Sequence, residues 1–555
     1  QFLVQELCAD ADRNIGDIAI YDATHLLQQL GCDPAQNRLI ELTPNQKVMF
    51  LDQQANPDTT QNVFGVYVDL PQQPDTTLLT KAVNWIVGHA PVLRMQLVVC
   101  DLPAAEPVYG VIPDTKTITL ELVEAQDDVL VENPLHQTSM QLMHRADDGL
   151  AGDLVEFSVV HYRNRYRFVV SCHHLLLDGS SAFMLVERIL NAYRNLLAGE
   201  PPQAFVDEGA FAFEQWSRTQ MDSPAVLEYW KQQGQTVEPL NFPLASRDHQ
   251  TPETVSAFGD VTQVAEVDRR HLDTIREFCA ANQINVPLYF KLLYGLMLKQ
   301  VCRAETAFSF YEFYGCRKQP WLDSFGCFYQ QFPCVVDGKL LAGPASLRDW
   351  IDNLILQRNQ ARQFRTISLQ KQYELVPSGR TIFMFNYYDF VSQMELNGST
   401  LQPQLSTPKV DRAVQFIVKE GVDNLQLELR YAHNAFQDVS FLPRLMHLSE
   451  QILFDEIAEV TQLNYLSAAE QLQLSRFETE QLIDPAWNVL SGFEASVQRF
   501  ATNIALVDSV NNENLSYSRL NQKANRLAHY LIETGVTPGS RVAICLGRTA
   551  DLLFS

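Results

Sequence analysis

The sequence predicts an α/β chain of several domains, and three observations carry that reading. Its 555 residues are more than one ordinary core organises. Short runs rich in β-branched and aromatic residues recur between long amphipathic segments. The composition, 46% hydrophobic and 19% charged, is that of a folded globular chain, and neither a low-complexity run nor a solenoid-period repeat interrupts it.

Residues 1–31 read as short helices. FLVQELC and ATHLLQQLG have helical spacing, and the second stops at Gly31 as a helix does. CDPAQNRLIE (32–41) reads as a polar linker. From Leu42 to about Gln473, expected strands are FGVYVDL (64–70), YRFVVSC (166–172), AFSFYEF (307–313) and LQLELRY (425–431). Expected helices are SSAFMLVERILNAYRNLLAG (180–199) and VPLYFKLLYGLMLKQV (286–301). SPAVLEYWKQQGQ (223–235) leads into the Pro- and charge-rich NFPLASRDHQTPE (241–253), a crossing between two lobes. LSAAEQLQLSRFETEQLIDPAWNV (466–489) is polar and helical until Pro485 breaks it, as a linker between domains does. A third αβ unit opens at Phe493 and is unfinished at Ser555. The chain begins without Met and stops inside an apolar segment, which reads as an internal fragment of something longer.

Charge and cysteine usage narrow the function. Lys plus Arg number 42 against 66 Asp plus Glu, a formal charge of -24. Such a chain repels nucleic-acid phosphates and anionic membrane surfaces. The ten cysteines form no CxxC pair and no His/Cys cluster with zinc spacing, so no metal site is expected and the thiols read as reduced, in the cytoplasm. No apolar run approaches the ~20 residues of a membrane span, and QFLVQELCADADRN lacks the basic start and small-residue cleavage site of a signal peptide.

SCHHLLLDGSS (171–181) concentrates the chemistry. YRFVVSC places His173 and His174 at a strand end, and an amphipathic helix follows, with Ser180 or Ser181 as its expected N-cap. HHLLLDG is therefore a strand-to-helix turn on a rigid scaffold, where sites are commonly carried. Neighbouring side chains on extended backbone point to opposite sides, so one histidine faces a cavity and the other packs inward. A neutral imidazole, with a pKa near ~6.5 when unperturbed, accepts a proton from an amine or hydroxyl nucleophile. Asp178, four residues beyond His174, either orients that ring directly or braces the turn through a buried Arg. Gly179 permits a close approach that a Cβ would block. Chance occurrence of the whole HHxxxDG string in such a chain is on the order of one in a thousand. Adjacent strand histidines cannot easily share one metal ion, and Cys172 reads as buried filler.

HHLLLDG resembles the HHxxxDG signature of condensation domains of nonribosomal peptide synthetases, and the resemblance extends over residues 42 to about 473. LTPNQKVMFLDQQ (42–54) resembles that family's opening segment. HAPVLRMQL (89–97) resembles its RHPVLRTxF segment, with Ala90 and Met95 where His and Thr are usual. GCRKQPWLDSFGCFYQQFP (315–333) resembles its GR…IGxFVNTLP segment: Gly315, Arg317, Gly326, Phe328 and Pro333 match, while Tyr329, Gln330 and Gln331 replace Val-Asn-Thr. QFRTISLQ (363–370) departs from the expected HQDxPFE segment. SRNPL is likewise missing near FMFNYYDF (383–390), although FNY survives. The stretch 493–548, which opens FEASVQRFATNIALVDSVNNENLSYSRL, resembles the start of an adenylation domain.

The resemblance implies two chloramphenicol-acetyltransferase-like lobes in a V with a central tunnel, an N-lobe over 42–222 and a C-lobe over 223–473. It implies a linker at 474–492 and, over 493–555, the N-terminal part of an adenylate-forming enzyme domain. Residues 1–31 would be the end of a peptidyl carrier domain, or else the tail of a preceding condensation or epimerisation domain. The implied reaction joins a carrier-bound acyl or peptidyl thioester to a carrier-bound aminoacyl amine. His174 would position the amine or act as base, with the Gly179 backbone amide near the oxyanion. His173, Asp178 and Arg94 would be structural, Asp178 pairing with Arg94, and Tyr329 and Gln330 would line the tunnel. The domain itself would bind no cofactor. The implied partners are upstream donor and downstream acceptor carriers bearing 4'-phosphopantetheine, with an adenylation domain in cis, and ATP and Mg would belong only to a complete adenylation domain. The rivals are an epimerisation domain, which shares HHxxxDG, a non-catalytic recruitment platform of the same fold, and a free-standing HxxxD acyltransferase.

Overall fold

The computed structural model describes residues 22–55, 62–100, 106, 108–124, 153–163, 165–240, 260–379, 381–388, 394–396, 398–406, 413–421, 424–432, 440–455, 457, 459–477, 488–509, 511, 513–547 and 549–554. FLVQELC and the crossing at 241–253 lie outside these residues. The chain divides into two compact units, Gln1–Ala468 and Ala469–Ser555.

The first part of the larger unit is built on helices α1 (Ala23–Gln29), α2 (Pro44–Ala55), α3 (Thr76–His89) and α4 (Gly179–Leu197). Its strands are β1 (Asn37–Glu41), β2 (Val63–Leu70), β3 (Gln96–Val99), β4 (Val108–Pro113), β5 (Glu121–Glu124), β6 (Val155–Tyr162) and β7 (Arg165–His173). β1, β4 and β3 make a three-stranded sheet, with β4 in the middle. The expected polar linker at 32–41 therefore ends in a strand: Arg38 and Ile40 pair with Ile112 and Gly110. The alternation in NRLIE buries Ile40 and leaves its neighbours partly exposed, a half-buried edge that only the partner strand makes visible. α1 lays Leu26 against Cys100 and Tyr109 beside that sheet, and Gly31 closes it with φ +74.

The second part contains α5 (Gly209–Gln220), α6 (Pro224–Gly234), α7 (Arg269–Ala281), α8 (Val286–Val301), α9 (Leu347–Phe364), α10 (Leu369–Leu375) and α11 (Phe441–Phe454). Its strands are β8 (Asp260–Val267), β9 (Phe308–Gly315), β10 (Tyr329–Val336), β11 (Ile382–Tyr388), β12 (Met394–Leu396), β13 (Ser399–Leu401), β14 (Gln404–Ser406), β15 (Ala413–Glu420) and β16 (Leu425–Ala432). Six of them form one sheet in the order β10-β9-β11-β15-β16-β8. β14 leaves that lobe and adds to β2, completing a sheet ordered β14-β2-β7-β6-β5. Each lobe has its own core. Val66, Phe168, Val170, Leu185 and Ile189 lie in the first, and Tyr294, Phe310, Phe416, Leu427 and Leu445 in the second. α8 is buried along most of its length because it crosses the covered face of the six-stranded sheet.

In the smaller unit, α12 (Val489–Arg499) precedes a hairpin of β17 (Ile504–Asp508) and β18 (Glu513–Ser516), and α13 (Tyr517–Glu533) comes after it.

Candidate functional site

β7 runs apolar into the first core, and its last residues fix the two histidines. His173 pairs with Val63 on β2, and its N–H donates to the Leu154 carbonyl at 2.9 Å. The next N–H, that of His174, donates to Asn62 O at 2.6 Å. Alternation then separates the rings. His173 is buried, and its Nδ1 accepts from Leu175 N at 3.1 Å. His174 stays partly accessible, its ring centroid 4.4 Å from that of Phe64 and 5.1 Å edge-on from that of Tyr329.

Burial lowers both imidazoles, since a charged ring loses its water and gains little in return. His174 falls to about 4, with the Asp178 charge and the carbonyls of His174 and Leu177 opposing the shift. His173 falls to about 3, with the neighbouring His174 adding to the shift. Both rings are neutral near pH 7.

The leucines anchor the turn. Leu175, Leu176 and Leu177 are all buried in the first core, and Gln46 on α2 donates to the Leu175 carbonyl at 2.7 Å. Asp178, not Ser180 or Ser181, caps α4, because the turn leaves Asp178 extended and Gly179 already begins the helix. Its Oδ1 accepts from Ser181 N at 2.7 Å and from Arg317 at 2.8 Å, and its Oδ2 accepts from Phe328 N at 3.0 Å.

The expected pairing of Asp178 with Arg94 is therefore corrected. Arg94 donates to the Val87 and Gly88 carbonyls at 2.6 and 3.0 Å, and to Pro113 O at 2.8 Å. It ties the end of α3 to β4, where unpaired helix carbonyls attract a cation, and desolvation lowers its pKa. Arg317 takes the place beside Asp178. Its other contacts are Ser181 Oγ at 2.6 Å and the Leu322 and Ser324 carbonyls at 3.1 Å each. The match of Arg317 to the family segment was the one sequence signal for it.

The segment between β9 and β10 is thus strapped onto the histidine turn. Asp178 N donates to Gly326 O, Ser181 Oγ donates to the same carbonyl at 2.7 Å, and Gly326 N donates back to Ser181 Oγ at 3.1 Å. The buried Asp207 accepts from Phe325 N at 2.9 Å, and burial raises its pKa.

β10 settles the two expected lining residues differently. Tyr329 reaches His174, while Gln330 is fully buried on the opposite, helix-packed face that it shares with Phe332 and Cys334. The correction follows from the two-residue period of a strand. Gln331 shares the face of Tyr329, as does Phe313 on β9, 5.8 Å from the Tyr329 ring. Among the described residues no group of three or more His, Cys, Asp or Glu side chains is placed to hold a metal. No helix among them is long and apolar enough to cross a membrane.

Comparisons agree with this architecture. The Condensation domain profile matches residues 36–475, and the AMP-binding enzyme profile matches 493–555. Gramicidin S synthase 2 of Aneurinibacillus migulanus is 24% identical over 422 residues, 70% of this chain and 9% of that synthase. Chondramide synthase cmdD of Chondromyces crocatus is 23% identical over 509 residues, 87% of this chain and 13% of that synthase. The chain thus spans about a tenth of the length of these relatives. The first condensation domain of the calcium-dependent antibiotic synthetase, solved with a substrate analogue, superposes with a TM-score of 0.61 at 14% identity. That match covers 77% of this chain and 99% of that one. The X-domain from teicoplanin biosynthesis superposes at 0.60 with 18% identity, covering 77% and 97%. The two-lobed α/β fold is the condensation-domain fold, and the chain belongs to the condensation domain family, with the beginning of an AMP-binding enzyme domain after it.

Proposed function

We propose that this chain joins a carrier-bound acyl or peptidyl thioester to a carrier-bound aminoacyl amine. The lobes at 42–222 and 223–473 form the reaction chamber, and 493–555 open an adenylation domain. The observation that carries the reading is His174: a neutral, partly accessible imidazole at the end of β7, set between Phe64 and Tyr329 on a turn that Asp178 and Arg317 lock. The amine nitrogen attacks the thioester carbonyl carbon, the carbon–sulfur bond breaks, and the pantetheine thiol leaves. A thioester is already activated toward amines, so fixing the two reactants in line supplies most of the acceleration.

The low pKa of His174 favours one of its two roles. A base near 4 is poorly matched to taking a proton at pH 7, where efficient general bases titrate near the operating pH. A neutral ring that accepts a hydrogen bond from the amine suits the site better, so His174 positions the nucleophile. The Gly179 N–H, in the first turn of α4, is the donor offered to the developing oxyanion. His173, Asp178 and Arg94 hold the scaffold, and Tyr329 walls the site. Upstream donor and downstream acceptor carriers, each bearing 4'-phosphopantetheine, supply the substrates in the cytoplasm, and ATP and Mg serve only a complete adenylation domain.

The test is transfer between two loaded carrier proteins, read by intact-protein mass spectrometry, with circular dichroism to establish folding. His174→Ala is expected to lose about fivefold, the worth of one hydrogen bond of ~1 kcal/mol, by an amount that varies with the acceptor. A uniform loss of roughly 10²–10⁴-fold would identify a general base instead. Wild-type rates in a folded His174→Ala variant would remove the residue from the reaction. A second reading, a non-catalytic recruitment platform, rests on the divergent QFRTISLQ segment, and it gains if the wild type transfers with no loaded pair.

A further inference from the structure

The six-stranded sheet has two unlike faces. One packs on the helices through Phe310, Phe385, Phe416 and Leu427. The other is the face of Tyr329 and Phe313, which leads away from His174. Following the register across it, Met384 lies opposite Gln415 and Gln415 opposite Arg430, while Asn386 lies opposite Ile417 and Ile417 opposite Glu428. Tyr388 lies opposite Lys419. The face that carries Tyr329 thus ends in a patch of charge.

Beside Tyr388 that face holds two cations, Lys419 and Arg430, and the carboxylate of Glu428, and one strand further, opposite Gln426, it carries the exposed Glu266. Lys419 Nζ bonds Glu428, and Arg430 bonds the same carboxylate through Nε at 3.0 Å and an Nη at 2.9 Å. Side-chain exposure is 24% for Lys419, 15% for Arg430 and 7% for Glu428, so the trio is largely withdrawn from water. Among the described residues Glu428 is the carboxylate these two cations bond, so the trio itself carries one net positive charge in a poorly hydrated place, and the exposed Glu266, two strands from Lys419, is the next carboxylate on that face. Withdrawing an uncompensated charge is unfavourable, and it is unusual in a chain of formal charge -24. A bound anion would offset it. Tyr388 connects the patch to the reaction site. Its hydroxyl accepts from Asn386 at 2.9 Å, and its ring lies within electrostatic range both of Arg430 and Glu428 and of Tyr329.

We propose that Lys419 and Arg430 form a specificity site for a carboxylate carried by the acyl or aminoacyl group, so that a substrate with an acidic side chain is preferred over its amide. Glu428 positions both cations. The guanidinium keeps its second edge for the ligand, and the ammonium keeps two of its three donors. The proposal rests on the condensation reading for its substrates. Its reach beyond that reading is the charge of what is selected.

The experiment compares Asp with Asn, and Glu with Gln, loaded in turn on the donor and the acceptor carrier, in wild type, Arg430→Gln and Lys419→Gln. The arm is the same throughout, so a phosphate effect cancels in each ratio. The expected result is an acid-to-amide rate ratio of about tenfold or more in wild type, on one of the two carriers, that falls toward one in both variants. Equal rates for acid and amide in wild type overturn the proposal, as does a ratio that the variants leave unchanged. A parallel loss with every substrate also overturns it, since the trio then supports the wall or the arm. Calorimetry with aspartyl- and asparaginyl-pantetheine amides reads the same preference without turnover. If no carrier pair is transferred and the aspartyl analogue still binds more tightly in a manner lost in Arg430→Gln, the condensation reading fails and the carboxylate site stands. Lys419 is the more exposed of the two, and its variant serves if Arg430→Gln does not fold.

Discussion

Asp178 is saturated by the protein: a helix N–H, a guanidinium and a backbone N–H from 150 residues away occupy its two oxygens. None of its hydrogen bonds goes to His174, so the carboxylate acts on the ring only through its charge, and its task is to fix the turn. Side-chain exposures of 5% for Asp178 and 13% for Arg317 make this a buried pair. Removing either partner leaves the other uncompensated, a loss of roughly 3–5 kcal/mol. Asp178→Ala and Arg317→Ala are therefore expected to be comparably destabilised, and the double variant little worse than either, in urea unfolding. Arg94 shares no partner with Asp178, so Arg94→Ala and Asp178→Ala should add within about 0.5 kcal/mol. Strong coupling in the Arg94 pair, with additivity in the Arg317 pair, would reverse the assignment. The motif displayed His174 and Asp178 in the sequence. The partner of Asp178 was not legible, because the ion pair joins residues 139 positions apart and no local pattern records such a contact.

At the scale of elements, the strap between β9 and β10 decides whether the histidine turn is held. Gly326 gives up its carbonyl and its N–H to α4 and the residue before it, and it lies against Phe328, whose N–H is bonded to Asp178. A Cβ on Gly326 would come within 2.6 Å of the Phe328 ring, so Gly326→Ala must displace either the ring or the strap. The expected cost is about 1–3 kcal/mol, the range of overpacking. Condensation should fall with it, since the turn loosens. A Gly326→Ala variant with wild-type unfolding midpoint would show that the ring gives way without cost. Elements of this kind divide by how local their signal is. YRFVVSC, LQLELRY and the helix at 286–301 were readable because burial on one face or on all sides repeats with the period of the element. β1 hid in a polar stretch, and β14 is three residues that pair with β2 far back in the chain, so their identity belongs to the partner strand. Gln330 was misplaced for the same reason: which face of β10 meets the site is set by its pairing with β9.

For the whole molecule, the two compact units differ in how much they bury. In Gln1–Ala468 two large cores close around sheets, and α8 alone contributes eleven buried residues. In Ala469–Ser555 neither α12 nor α13 buries any residue, and Leu515, Ala550 and Asp508 are the buried ones among those described. α13 is amphipathic, but its apolar stripe of Leu520, Ala524, Leu527 and Leu531 is only half-buried, and Tyr530 and Ile532, which lie off that stripe, are more than 60% exposed. Isolated helices of this length are marginal in water without a packed face. Opening free energy tracks buried apolar contact, from about zero in unsupported elements up to the global value in cores. Amide hydrogen exchange on this 555-residue chain by itself, which holds only the beginning of the AMP-binding enzyme domain, should therefore show α12 and α13 exchanging early, while α8 and β15 exchange only on global unfolding. The Asp508 carboxylate, which accepts from Asn511 N at 3.0 Å and from Ala550 N at 2.8 Å, should leave a short protected patch within the smaller unit. Protection of α13 equal to that of α8 would mean that a stabilising contact covers its apolar stripe, and the contrast in stability between the two units would then be wrong.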